Sequence, residues 1–312
     1  MTYTLTGNLL AERTFEFATW APGRVQRAAQ QSFQVGGKGI NVAKMLHRLG
    51  HPVTALCFAG GPTGDECGGW LARQGWSTET FPSTTPTRTG LVVRAPGQME
   101  TTFLGLDTPP AQTSLDACAD YLSVRKGGRD ILAFCGSFPD WEKPRTSSLR
   151  ASLADWARDG TLVADSHGPP LAWLVEQPAR LIKINRQEFD GLLPPAAVEE
   201  GDLGPRLRRA QGRWPVPAWI ITDGPRPVWF TGPGVGPACM VPPSVQEVSA
   251  TGSGDVFFAC VLHAIFREAR SLADAVAFAL PRAAANSASP GIAEFDLNAL
   301  PFAPPWPNAA PS

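Results

Sequence analysis

The run Ser249-Ala250-Thr251-Gly252-Ser253-Gly254-Asp255 leads directly into the apolar segment VFFACVLHAIF. Small residues there leave backbone N–H groups uncovered. A helix beginning at that point turns its positive dipole end toward the loop. Such a cradle stabilises an anion, above all one gaining charge in a transition state. Asp255 falls in the first turn, where a carboxylate beside a bound anion is repulsive unless it does chemistry. Accepting a hydroxyl proton is the obvious task. An ordinary glycine-rich turn, with Asp255 favouring the helix dipole, is the plainer alternative.

A second run, Gly36-Gly37-Lys38-Gly39, opens a segment with apolar residues at 42, 45, 46 and 49. The phosphate-loop spacing GxxxxGK[ST] fails because Gly39 follows Lys38. The glycines allow a small hydroxylated ligand close to the backbone, Asn41 can hydrogen-bond in both directions, and Lys38 offers a point charge to a phosphate. A plain strand–helix turn remains the alternative. Gly136-Ser137 ends one buried run, and Lys183-Ile184-Asn185-Arg186-Gln187-Glu188 completes another. Both lie at carboxyl ends of expected parallel strands, where open α/β sheets bind ligands. Asn185 and Glu188 are three apart and can share a helical face, which suits the water shell of a Mg²⁺ ion. Asn followed three residues later by Glu also suits a helix cap.

These residues need a scaffold, and the periodicity supplies one. It predicts strands over 2–6, 13–20, 28–35, 53–59, 89–95, 99–104, 131–136, 161–165, 181–184 and 219–222, with a hairpin over 227–230 and 238–241. Helices are predicted after Gly36-Gly37 up to Gly50, and over 66–74, 147–158, 171–176, 254–268 and 272–288. Buried strands alternating with helices mean a mostly parallel sheet covered on both faces. The polar, alternating strands at about 12–35 and 87–105 suit a small appended sheet. Residues 301–312, rich in Pro, read as a loose tail.

The 312 residues are 43% hydrophobic and 18% charged, which excludes wholesale disorder. A formal net charge of −1 argues against a nucleic-acid or anionic-membrane binder. No run of about 18 apolar residues suggests a membrane span, and Met1–Glu12 does not read as a signal peptide, so the cytoplasm is the expected compartment. The six cysteines are scattered and read as buried thiols, and the four histidines lack metal-ligand spacing. Few of the 27 basic residues are lysine, so Lys38 and Lys183 stand out.

Together these motifs resemble the PfkB (ribokinase-like) carbohydrate kinases across essentially the whole chain. GGKGINVAK is similar to the phosphosugar branch, 1-phosphofructokinase and tagatose-6-phosphate kinase, and TGSGD to the second signature of the family. The resemblance implies a ribokinase-like three-layer α/β/α domain spanning 1–312, with a β-sheet lid. It implies ATP as donor, Mg²⁺ as cofactor and, in some members, a monovalent cation. By the same resemblance, Asp255 is the base, and the N–H groups of Gly252, Ser253 and Gly254 form the anion hole. Gly37, Lys38, Gly39, Asn41 and Ser137 bind the acceptor sugar. Arg88, and more loosely Arg27, hold its phosphate. Lys183, Asn185, Thr222, Gly224, Thr251 and Asn286 belong to the nucleotide side, and Asn185 with Glu188 organises Mg²⁺ through water.

Two positions depart from the family pattern. Glu12 stands where an Asp usually grips sugar hydroxyls, and its extra methylene reaches about 1.5 Å further. Thr102 stands where some phosphofructokinases carry a basic lid residue. The expected reaction is phosphorylation of a phosphorylated ketohexose, with fructose 1-phosphate first, then tagatose 6-phosphate and fructose 6-phosphate. An unphosphorylated sugar or nucleoside acceptor is the second reading. A catalytically silent sugar-phosphate binder, supported by Glu12 alone, is the third. The partners are then ATP and a small sugar phosphate, with neither nucleic acid nor membrane, and exposed lid edges allow a homodimer.

Overall fold

Strands buried along their whole length need cover on both faces. Thr2–Thr6 (β1), Val53–Gly60 (β4) and Ile131–Gly136 (β8) are such runs, and β1 pairs in parallel with the other two. The structure is a computed structural model that describes residues 1–125, 128, 130–194 and 202–301. Ser77–Ser83 (β5) flanks β4. Thr161–Ser166 (β9), Leu181–Asn185 (β10) and Trp219–Thr222 (β11) extend the parallel sheet beyond β8. Val228–Gly232 (β12) and Val235–Met240 (β13) close it as an antiparallel hairpin. The order is β13-β12-β11-β10-β9-β8-β1-β4-β5, so the direction of winding reverses beside β1.

Alternation along β4 divides the core. Ala55, Cys57 and Ala59 pack with Lys38–Arg48 (α1), Gly61–Leu71 (α2), Ser253–Phe266 (α8) and Leu272–Ser287 (α9). Leu56 and Phe58 pack on the other side with Gln112–Ser123 (α3), Ser147–Asp159 (α4), Gly168–Leu174 (α5), Arg186–Leu192 (α6) and Gly204–Arg213 (α7). Helix α8 is buried from Asp255 through Ala264, which explains why its sequence is apolar all round. No described helix is long and apolar enough to cross a membrane.

The second sheet has the order β3-β2-β6-β7, from Gln30–Gly36 (β3), Leu10–Glu16 (β2), Arg88–Arg94 (β6) and Thr101–Leu104 (β7). Leu10, Glu12, Thr14, Gly90 and Val92 form its buried face, while Arg13, Phe15, Thr89 and Leu91 lie outward.

Several elements differ from the sequence reading. Strand β2 starts at Leu10 and ends at Glu16, rather than spanning 13–20, because it is registered between β3 and β6. Helix α2 starts earlier, with Pro62 in its first turn, and stops at Leu71 ahead of the left-handed Gly75. Strand β5 was not expected: STETFPS buries only Phe81, as an edge strand needs. Helices α3 and α7 were also unforeseen. The first carries its apolar stripe on Leu115, Cys118 and Leu122; the second is mostly polar and buries Arg206. Of the expected tail, residues 302–312 lie outside the described residues.

Candidate active site

The carboxyl ends of β8, β9 and β10 deliver Gly136-Ser137, Asp165 and Asn185 to one edge of the sheet, and α1 starts beside them at Lys38. Asp165 is fully buried between two lysines. Lys38 Nζ lies 2.7 Å from its Oδ1 and Lys183 Nζ 2.8 Å from its Oδ2. Burial alone would push the Asp165 pKa up, but Lys183 and Lys38, by charge and hydrogen bond, hold it below the ordinary value. Burial likewise opposes the charge of Lys38, and Asp165, Asp255 and Glu188 together overcome it, leaving its pKa above the ordinary lysine value. The three groups form a fixed cationic floor.

Asp255 sits in the first turn of α8 at 6% exposure and accepts a hydrogen bond from Asn41 Nδ2 at 2.7 Å. Burial raises its pKa from 3.8 to about 6, against the pull of Lys38, with the charge of Asp165 adding to the rise. A base must be deprotonated to act. Turnover is therefore expected to rise with pH through about 6 and to fall below it, read as the acid limb of kcat/KM. A profile flat between pH 5 and 7.5 would remove Asp255 as the titrating base.

Gly252 caps α8 in a left-handed conformation (φ 76°), and a Cβ there would collide with Ile292 at 2.5 Å. Only glycine fits. The N–H groups of Gly252 and Gly254 donate to no protein acceptor among the described residues, as an anion hole requires. Ser253 departs from expectation: its N–H donates to Ala250 O at 3.2 Å, because the loop turns tightly before the helix. Gly254 approaches the cationic floor so closely that a Cβ would stand 2.8 Å from Lys183 Nζ. Helix dipole and ammonium thus converge on one spot.

Asn286 was expected on the nucleotide side. The structure instead buries it at 1% exposure, with Nδ2 donating to Thr251 O (3.1 Å) and Ser253 Oγ (3.0 Å) and Oδ1 accepting from Ala293 N (2.7 Å). All of its polar atoms are used, so it braces the loop. Thr251 turns its hydroxyl to Glu100 of the lid at 2.8 Å.

Asn185 and Glu188 form a reciprocal cap on α6, at 2.8 and 2.7 Å, so the helix-cap alternative is realised. The cap engages Glu188 Oε2; Oε1 lies 3.9 Å from Lys38 Nζ. Among the described residues, no cluster of three acidic, His or Cys side chains could hold a bare ion. One carboxylate oxygen and one exposed amide oxygen fit a hydrated Mg²⁺ arriving on a phosphate chain. Thr222 pairs in register with Asn185, and Gly224 (φ 56°) lies in the turn that follows.

On the lid side, Gly37 and Gly39 pack against Thr6 at the end of β1. Asn8 Nδ2 donates to Ser137 Oγ (3.1 Å) and Asp107 Oδ1 (2.8 Å). Arg88 reaches the same Asp107 oxygen at 2.8 Å; burial lowers its pKa and Asp107 opposes the fall. Glu12 is buried in β2 and accepts from Gln34. Burial raises its pKa, opposed by that hydrogen bond and by Arg94, while Glu100 adds to the rise. Arg27 lies exposed in the 17–29 loop and is not brought to this cluster by any hydrogen bond or ion pair within the described residues. The residues missed from sequence are Asp165, Asn8, Glu100 and Asp107. Each could have been flagged only as a lone polar residue at a strand end or in a lid loop.

A family profile described as pfkB family carbohydrate kinase matches residues 9–297. A 1-phosphofructokinase of Borreliella burgdorferi is 26% identical over 299 residues, covering 95% of this chain and 94% of that protein. One of Bacillus subtilis is 27% identical over 86% of each chain. Among solved structures, a mutant of phosphofructokinase-2 from Escherichia coli superposes with a TM-score of 0.84 at 22% identity, over 92% of this chain and 93% of that one. Ribokinase from Thermotoga maritima gives 0.71 at 17% identity, over 94% of each. These structural likenesses establish a ribokinase-like α/β fold.

Proposed function

This chain belongs to the pfkB family of carbohydrate kinases, and from that premise we propose that it transfers the γ-phosphoryl group of ATP to a hydroxyl of a phosphorylated ketohexose, with fructose 1-phosphate as first candidate. The observation that carries the reading is Asp255, held by Asn41 at the head of the open anion loop and beside the Lys38–Asp165–Lys183 floor.

Asp255 takes the acceptor hydroxyl proton as the oxygen attacks in line. The N–H groups of Gly252 and Gly254, with Lys183 beside them, receive the negative charge of the transferring group. Glu12, Gly37, Gly39, Asn41 and Ser137 orient the sugar, and Lys38 and Arg88 hold its anion. Asn185, Thr222 and Gly224 line the nucleotide side. Mg²⁺, when bound, neutralises phosphate charge, with Glu188 and Asn185 holding its water shell. The lid strands exclude water as they cover the cleft. They also present exposed Met99, Phe103, Leu104 and Leu106, which suit pairing with a second copy.

The test is ADP release with Mg-ATP across fructose 1-phosphate, fructose 6-phosphate, tagatose 6-phosphate, free hexoses and nucleosides. Turnover on one phosphosugar supports the proposal, and turnover on free sugars alone defeats it. Two observations favour the unphosphorylated acceptor: Asp107 already pairs with Arg88, and Thr102 is neutral. Arg88→Ala separates the two readings. A phosphosugar kinase is expected to show an acceptor KM raised about 30- to 150-fold, since a charge-assisted bidentate contact contributes about 2–3 kcal/mol. A neutral-acceptor kinase would change little.

A further inference from the structure

Side chains alternate across a strand, so Arg88, Gly90, Val92 and Arg94 share the inner face of β6. Val92 pairs with Thr102 and Val93 with Thr101, and the next step in register sets Arg94 opposite Glu100. Thr102, where a basic lid residue was expected, is on this same face. Arg94 Nε donates to Glu100 Oε2 at 2.6 Å. Glu100 in turn leaves the lid: Oε1 accepts from Thr251 Oγ1 at 2.8 Å and Oε2 from Ser249 Oγ at 3.2 Å. Arg94 and Ser249 therefore share one carboxylate oxygen, which sets the guanidinium beside the anion loop. It lies about 20 Å along β6 from Arg88, beside the anion loop and within electrostatic reach of Glu12. Among the described residues, its Nη1 and Nη2 donate to no protein group, and the side chain is 23% exposed.

A lone carboxylate beside an anion loop would repel phosphate. Balanced by Arg94 and tied to two loop hydroxyls, it becomes a mount. We propose that Arg94 binds the phosphoryl chain of the nucleotide donor, and that Glu100 is the positioning residue that holds it against the anion loop. This rests on the kinase reading of that loop. The free edge of the guanidinium offers the planar, paired donors that suit phosphate oxygens. Because it comes from the lid, it completes the charge-neutralising set only while β6 and β7 stand over the loop.

Steady-state kinetics of Arg94→Gln, Arg94→Lys, Glu100→Gln and the Arg94→Gln/Glu100→Gln double variant test this, together with calorimetric titration of each by Mg-ATP. Arg94→Gln is expected to lower kcat/KM for ATP about 100-fold, the scale of losing one transition-state donor, with acceptor KM within about threefold of wild type. Glu100→Gln should give a smaller loss in the same parameter. The double variant should be no worse than Arg94→Gln alone, since Glu100 acts through Arg94. Arg94→Lys keeps the charge without the fork and is expected to lose about tenfold; it decides the matter if Arg94→Gln does not fold. Wild-type kcat/KM for ATP in either Arg94 variant, a loss confined to acceptor KM, or multiplicative effects in the double variant would each overturn the proposal. If the wild type turns over no acceptor, the kinase reading fails by itself. Mg-ATP affinity, expected to weaken about tenfold in Arg94→Gln, then reads the role of Arg94 alone, and unchanged affinity would overturn it.

Discussion

Replacing Asp255 with Asn is expected to lower kcat by about 1,000-fold or more, within the range for loss of a positioned general base. Mg-ATP affinity should stay within about threefold. The amide keeps the size of the carboxyl group, and the anion loop is braced independently by Asn286. Unfolding cannot mimic this result. The folded state holds the Asp255 proton with a pKa of about 6 against an ordinary 3.8. The contribution of that group to stability is thus full below pH 3.8 and is lost as pH rises through about 6. At pH 7 the folded protein carries a carboxylate it disfavours, so the neutral amide should leave the urea midpoint unchanged or raise it. Single-turnover kinetics beside calorimetry and urea denaturation make the check, and an unchanged kcat would take the base role from Asp255.

The second large effect belongs to Asp165. Asp165→Ala leaves Lys183 buried and uncompensated and frees Lys38 from its anchor. Breaking a buried pair by removing one partner destabilises by about 3–5 kcal/mol, so the urea midpoint should fall clearly. Activity should drop even where the variant is folded, because both ammonium groups lose their positions below the anion loop. The two lysines hold the Asp165 pKa below 3.8, so its stabilising contribution is present above that pH and is lost only in stronger acid. A loss under about 1 kcal/mol would mean that the lysines find other partners and that the floor is not fixed.

The parts of this site that could be read from sequence are those built from local chain. TGSGD before an apolar helix and GGKG before an amphipathic one each carry their own geometry, and α8 and α1 begin where those runs place them. Asp165 was not legible in that way. It ends the ordinary strand run TLVADS, and its meaning comes from lysines 127 and 18 residues away in the chain. Glu100 and Asp107 depend on how two sheets meet, which no spacing encodes. The bracing contacts of Asn286 were not legible either, because its position on α9 is near the loop while its orientation is set by Ala293. The same limit applied to the fold. Edge strand β5 has too little apolar surface to announce itself, and α7 is mostly polar on its exposed side.

The central place of β1 has a consequence during synthesis. Its neighbours in the sheet begin at Val53 and Ile131, and the partner of Asn41 lies 214 residues further along the chain. A ribosome therefore releases α1 long before α8 exists to cover the apolar stripe of Val42, Met45 and Leu46. A nascent chain stopped before Ser253 exposes that stripe and the adjoining face of the sheet, a surface suited to chaperone capture or aggregation. Asp255, the proposed base, and the cover for that surface both come with the same late segment, so a chain that stops short of it lacks the two together.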